Sequence, residues 1–406
     1  MPLSSRRFGF TRAAAAAGLV LQLAGGTLAF AQKPPAKADA KPDPAAQAQA
    51  AAQQQEVQAL VRVADAAMSG QPAPNDFPIQ FHHDFLKAQG ARVWVPIILT
   101  LDPAKTPSGA LTVYLRVTPR GMTAPAPPPA AAAAPEKIGK DAKDKDKDKD
   151  KKKDAKAPAA PVPAAAPNYP FEDVSFLDLK PAAPGQPLRI QRGIGVPAGS
   201  YDLYVVLHER AAAPAAGGAP GSAAPSAAPP SAATPAGKTS VLKQPLDVPN
   251  YTTEFSASTV ILAERVDQLA TPVSPDAQSE HPYAFGQTEI VLAPDRKFKK
   301  AQELIVLLQI YNPMVSPEKK FNLEATYTFY RQEAGTEKRF NSTEPQTFSS
   351  ESMGPAFDPT ANSSIQAGQG VPLQSFPEGS YRLEIKITDK LSAKVLTQNV
   401  NFTVTP

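Results

Sequence analysis

The chain of 406 residues contains no cysteine. This excludes a disulfide framework, a thiolate nucleophile and any cysteine-ligated metal. Histidine is scarce, with four residues: His82, His83, His208 and His281. His82-His83-Asp84 is the one cluster with metal-binding side chains, but neighbours on a strand point to opposite faces and no further ligand follows at zinc spacing. Charge of one sign is also lacking, with 42 Lys and Arg against 38 Asp and Glu. Three of those cations, Arg6, Arg7 and Arg12, fall in the first 31 residues, which contain no acid. Nothing global therefore draws the rest of the chain to nucleic acid or to an anionic membrane. No apolar run reaches the ~20 residues of a membrane-spanning helix.

Catalytic motifs are missing as well. G-x-S-x-G does not occur. S-x-x-K occurs as Ser240 to Lys243, on an expected strand and without companion motifs. The glycine-rich stretch 217–221 has no lysine and opens no helix, so it cannot cradle phosphate. Carboxylate neighbours such as Glu172-Asp173 carry no sign of convergence. The expectation is a non-enzyme with no cofactor and no metal.

What the chain has in excess is proline, 46 residues, about twice ordinary usage. Much of it lies in Ala/Pro tracts that cannot bury enough apolar surface to offset the entropy of ordering. The N-terminus reads MPLSSRRFGFTR, then AAAAAGLVLQLA, then GGTLAFAQ. A basic stretch, a short apolar core and the small-residue site Ala29-Phe30-Ala31 predict an export signal over 1–31, cut before Gln32. Residues 32–55 read as a disordered leader. Over 56–69, Val57, Leu60, Val61, Ala64 and Met68 share one helical face and Gly70 supplies a stop. Two long inserts follow, 122–168 and 211–238. The first carries ten Lys and six Asp between Lys137 and Lys156. Its mixed signs suit a solvated spacer better than an electrostatic tether.

The remainder repeats itself. VPAGSYDLYVVLHER from Val196 returns as FPEGSYRLEIKITDK from Phe376. In the second copy Tyr381, Leu383, Ile385 and Ile387 alternate with Arg382, Glu384, Lys386 and Thr388, which predicts a strand with one buried and one wet side. In the first copy Tyr201, Leu203, Val205 and Leu207 form the same inner face. VLKQPLDV (241–248) matches VLTQNVNF (395–402) as the return strand of each hairpin. RVWVPIILTLDP matches QELIVLLQIYNP, and GALTVYLRV matches FNLEATYTFY. Many short strands with Pro/Gly turns predict an all-β protein: two tandem immunoglobulin-like β-sandwiches, over 77–250 and 251–406.

In each copy a Pro-x-Gly-Ser turn leads into Tyr-x-Leu. Tyr201 and Tyr381 are therefore expected to form tyrosine corners, each hydroxyl tied back to the turn. The first copy differs by placing Tyr204 and Val206 on its outer face. These predict either cover by the helix or the other domain, or a partner-binding interface. Exposed aromatics define a second surface: Trp94 and Tyr330 are candidate glycan contacts. Tyr327 and Phe329 fall on the inner, core face.

The stretch from DRKFKKAQELIVLLQIYNP to the C-terminus resembles the C-terminal region of secreted acidobacterial proteins, some of which carry a von Willebrand factor A-related or GWxTD domain ahead of it. Residues 170–263, with VPAGSYDLYVVL and FSASTVILAE, are similar to parts of the same region. The resemblance implies a β-rich envelope or secreted module. The head domains are absent: there is no D-x-S-x-S motif, and Trp94 is followed by Val95 rather than by the rest of a GWxTD string. The functional expectation is an exported, non-catalytic structural or protein-binding module of the bacterial envelope, periplasmic, cell-surface or secreted. Its partner would be an envelope or secreted protein. The alternatives are a carbohydrate-binding sandwich and an accessory domain of an envelope hydrolase.

Overall fold

The computed structural model describes residues 44–105, 110–124, 168–179, 187–210, 237–333, 335–361 and 364–406. The expected export signal, the first part of the leader and the bulk of both inserts lie outside the described residues.

The protein is all-β, two tandem immunoglobulin-like sandwiches. The first contains β1 (Ile79–His83), β2 (Leu86–Lys87), β3 (Arg92–Leu101), β4 (Ala110–Pro119), β5 (Phe171–Asp178), β6 (Leu188–Pro197), β7 (Gly199–Arg210) and β8 (Thr239–Val248). The second contains β9 (Ser256–Ala257), β10 (Ile261–Gln268), β11 (Ala284–Phe285), β12 (Thr288–Leu292), β13 (Lys297–Lys299), β14 (Glu303–Tyr311), β15 (Asn322–Glu333), β16 (Thr336–Ser342), β17 (Gln346–Ser349), β18 (Ile365–Pro372), β19 (Gly379–Asp389) and β20 (Val395–Thr405). One helix, α1 (Pro44–Met68), precedes them, and a single turn, α2 (Ser350–Met353), interrupts the second.

Topology repeats the sequence repeat. In the first domain β6 lies on one edge of β3 while β1 and β2 share the other. In the second, β18 lies on one edge of β14 while β9 and β10 share the other. The facing sheets are β5-β4-β7-β8 and β16-β15-β19-β20, the latter extended by β17 and β13. The return strands keep the faces expected of them but not the register. Tyr201 pairs with Leu246, whereas Tyr381 pairs with Phe402, two residues beyond the sequence match. A slip of two preserves the side-chain faces because the strand period is two.

The four sheets form a stack. Between β5-β4-β7-β8 and the β3 sheet lie Val95, Ile97, Leu99, Val113, Leu115 and Leu203. Between the β14 sheet and the β15–β19 sheet lie Val306, Leu308, Tyr327, Phe329, Leu383 and Ile385. A third core sits between the two domains, where Trp94 and Ile98 of β3 meet Ile305 and Leu307 of β14. Strands β3 and β14 are thus buried on both faces, which is why they read as near-continuous apolar runs, RVWVPIILTL and ELIVLLQIY, without alternation.

Polar groups lock this seam. Tyr283 Oη donates to Asp84 Oδ2 at 2.7 Å, and Trp94 Nε1 donates to the Pro282 carbonyl at 2.9 Å. Gly193 N donates to Ser279 O at 2.7 Å, and Lys87 N donates to Tyr311 Oη at 2.9 Å. Ser279, Pro282 and Tyr283 belong to the segment between β10 and β14, which has no counterpart of its length in the first domain.

Helix α1 is longer than the spacing predicts. It begins at Pro44, so residues 44–55 of the expected leader are helical. Ala and Gln are good helix formers, and the docked second half supplies the nucleus that an isolated helix lacks. That half buries Leu60, Ala64 and Met68. The helix ends in a Schellman pair, Gln71 N to Ala66 O and Gly70 N to Ala67 O. No helix among the described residues is long and apolar enough to cross a membrane.

Candidate recognition face

The outer sheets of the two domains have opposite chemistry. In the first, residues facing outward align in rows across β5, β4, β7 and β8. One row is Val174, Tyr114, Val206, Val241, and the next is Glu172, Arg116, Tyr204, Lys243. Helix α1 lies over these rows, with Leu60 and Ala64 against Tyr114 and Val206. Tyr204 and Val206, the expected interface residues, are 1% and 0% exposed. Their cover is intramolecular, so they present no surface to a partner while α1 is in place.

A buried guanidinium sits under the helix. Arg116 is 2% exposed and bonds to Asp65 of α1 and to Glu172 of β5. It also lies against the Tyr169 ring, 4.3 Å from the centroid, and Tyr114 donates to the same Glu172. Burial works against its charge, but Tyr114, Asp65 and Glu172 hold its pKa above the ordinary value. Sequence reasoning misses this ion network because its three charged members come from elements 51 and 56 residues apart.

The second domain leaves the equivalent face polar. Strands β15, β19 and β20 turn Thr326, Thr328, Tyr330, Arg382, Glu384, Lys386, Thr397, Asn399 and Asn401 outward, all half-buried or exposed. Arg382 is its centre. Its Nε lies 3.0 Å from both carboxylate oxygens of Glu337, its Nη1 3.1 Å from Glu384, and it also bonds Asn399. Hydrogen bonding to Glu337 raises the Arg382 pKa and lowers that of Glu337. The result is a flat lattice of alternating charges, hydroxyls and amides.

The remaining expected residues fall elsewhere. Tyr330 is on this face, but the Arg382 guanidinium covers its ring at 4.2 Å from the centroid. Trp94 is 4% exposed and packed in the seam. Trp94 is thus packed away from solvent, while the half-buried Tyr330 already stacks against a guanidinium. Tyr381 Oη donates to Pro377 O at 2.6 Å, whereas Tyr201 Oη reaches Ala198 O at 3.5 Å. The turns before them need glycine: Gly379 has φ 139° and Gly199 φ 153°, values that L side chains rarely adopt.

Side chains singled out for chemistry are separated or occupied. Ser240 exchanges hydrogen bonds with the Phe77 main chain, while Lys243 reaches Asp202 across the opposite face. Glu172 faces the helix, and its neighbour Asp173 bonds Ser175. His82 bonds Asp84 at 3.0 Å, but His83 stacks on Phe81 and meets Phe85 edge-on. Among the described residues, no group of three His, Asp or Glu could hold a metal.

No protein family matches this chain, and no curated protein matches it. Among solved structures, it is similar to a family 123 glycoside hydrolase from Clostridium perfringens, with 10% identity, 36% of this chain and 27% of that chain covered, and a TM-score of 0.18. It is also similar to red sea bream transglutaminase, with 7% identity, 84% of this chain and 33% of that chain covered, and a TM-score of 0.18. The chain thus spans about a third or less of either protein's length, and overlap this low carries no argument about activity.

Proposed function

We propose that the protein is an exported, non-catalytic structural or protein-binding module of the bacterial envelope. One observation carries this reading: the stack is locked at its seam and closed at one end by α1, while no element among the described residues covers the polar lattice around Arg382 at the other. A packed body that presents such a polar face suits recognition of a folded partner, since surface charge patterns set specificity without being needed for the fold. The signal-like N-terminus and the resemblance to secreted acidobacterial proteins support the location. Carbohydrate binding is less well supported, because Trp94 and Tyr330 are both engaged within the protein.

The test is capture from envelope extract by the wild-type chain and by a double variant, Arg382→Glu with Lys386→Glu. The expected result is one protein retained by the wild type and lost by the variant, with melting temperatures alike. Equal retention by both, or specific signal on a glycan array, would count against the proposal.

A further inference from the structure

Among the described residues, the last strand of each domain leaves one side unpaired over part of its length, and the two open stretches are finished differently. An open edge presents unpaired N–H and C=O groups, and proteins blunt such edges with lysine, proline or a covering segment. On β8, Val241 N bonds Pro74 O, and Asp76 N bonds Thr239 O, so residues 74–76 cover the first part. The outward groups of the remainder belong to Lys243, Pro245 and Asp247. Proline offers no N–H, and the flanking charges oppose a second strand.

On β20 the covering segment is at the other end. Thr403 N donates to Arg296 O, and Lys300 N donates to Thr405 O. Those bonds fix which residues face the edge. By the alternation of a strand, Asn401, Asn399, Thr397 and Val395 direct their N–H and C=O groups the same way. No strand among the described residues pairs there. In both the sequence match and the observed register, Lys243 and Pro245 are replaced by Thr or Asn, and no charged residue occurs between Val395 and Pro406.

We propose that this edge pairs antiparallel with β20 of a second copy, joining the two outer sheets into one across a two-fold axis. A two-fold pairing sets the strand against itself, so a charge near the axis is brought beside its own symmetry copy, which is destabilising. An uncharged edge is its own complement. Centred on Gln398, the pairing sets Thr397 against Asn399 and Val395 against Asn401 of the partner, so it stops short of Thr403, whose edge Arg296 and β13 hold, and it brings the two Thr397 side chains to diagonal positions across the axis. The proposal is independent of what the Arg382 face binds.

Sedimentation velocity of the chain up to roughly 100 μM, a weak but specific range, provides the test. A dimer is expected, with slowed exchange of the Thr397, Asn399 and Asn401 amides as concentration rises. Asn401→Pro deletes an outward N–H and leaves the β19 ladder intact, as Pro245 does in the first domain. It should weaken dimerisation about tenfold or more, the worth of two main-chain hydrogen bonds per dimer. Thr397→Glu, placed opposite Lys386 of β19, should do the same with the fold unchanged, and it serves as the readout should the proline variant unfold. A chain that remains monomeric overturns the proposal and leaves the edge to a foreign strand. Dimerisation unaffected by both variants overturns it as well.

Discussion

The two domains share strand order and connectivity, yet each finishes its outer sheet by a different rule. The first makes that surface apolar and hides it, placing Tyr114, Tyr204 and Val206 under α1 around a buried arginine. The second makes it polar and leaves it open, with its own arginine held in a lattice of exposed carboxylates and amides. The lesson is that a duplicated sandwich needs only its inner faces conserved in kind. Outer faces answer to what lies against them: among the described residues, a helix in one case and no element in the other.

The comparison can be broken most sharply at the seam both domains share. Trp94→Ala removes a ring that is packed across the interface and hydrogen-bonded to Pro282. It should cost about 3–5 kcal/mol in urea unfolding, and the domains should then melt separately. Preserved cooperativity with little loss would mean that the seam contributes less than its burial implies. Gly193→Ala attacks the same place from the other side, since a Cβ there would fall 2.0 Å from the Trp94 ring.

The two arginines offer the next contrast. Arg116→Ala leaves Asp65 and Glu172 without their partner beneath the helix, which should cost about 3–5 kcal/mol and release α1 to proteolysis. Arg382→Ala removes as many ion pairs from an open face and should change stability by about 1 kcal/mol or less. Equal losses would erase the distinction between covered and open sheets.

The acid limb of the stability profile reads the seam again. Burial alone would raise the Asp84 pKa, but hydrogen bonding and charge from His82, with bonds from Tyr283 and Thr259, leave it lowered. Because the folded value lies below the unfolded one, near 3.9, its contribution is present above that pH and is lost as pH falls through the folded value. Asp84→Asn should flatten this limb below about pH 4, measured by chemical unfolding across pH. An unchanged acid limb would mean that other carboxylates set it.

The corners give the smallest difference. Tyr381→Phe deletes a 2.6 Å hydrogen bond and should cost about 1 kcal/mol, measured as a shift in urea midpoint. Tyr201→Phe, whose bond is 3.5 Å long, should cost less than half of that. Parity between them would show that the corner in the first domain is as well made as that in the second.

Legibility followed the range of the interactions. The alternation through Tyr381 to Ile387 is a local pattern, and all four of those side chains are fully buried, as a one-sided strand requires. The unbroken apolar runs of β3 and β14 held the clue to the seam, since a strand without alternation needs cover on both faces. The identity of that cover was not local. Trp94 reads as a lone exposed aromatic until Pro282, 188 residues away, is placed over it. The start of α1 at Pro44 was obscured for a different reason: Ala and Gln are equally common in helices and in flexible leaders, and composition alone does not separate the two.

By itself the sequence determined the strands, their inner faces and the duplication, because these rest on a two-residue period and on turns that only proline and glycine satisfy. The tertiary structure alone decided, among the described residues, which outer face lies under the helix, where the two domains join and which strand edge finds no partner. Those outcomes depend on groups far apart in the chain, and their energies exist only once the sheets are stacked.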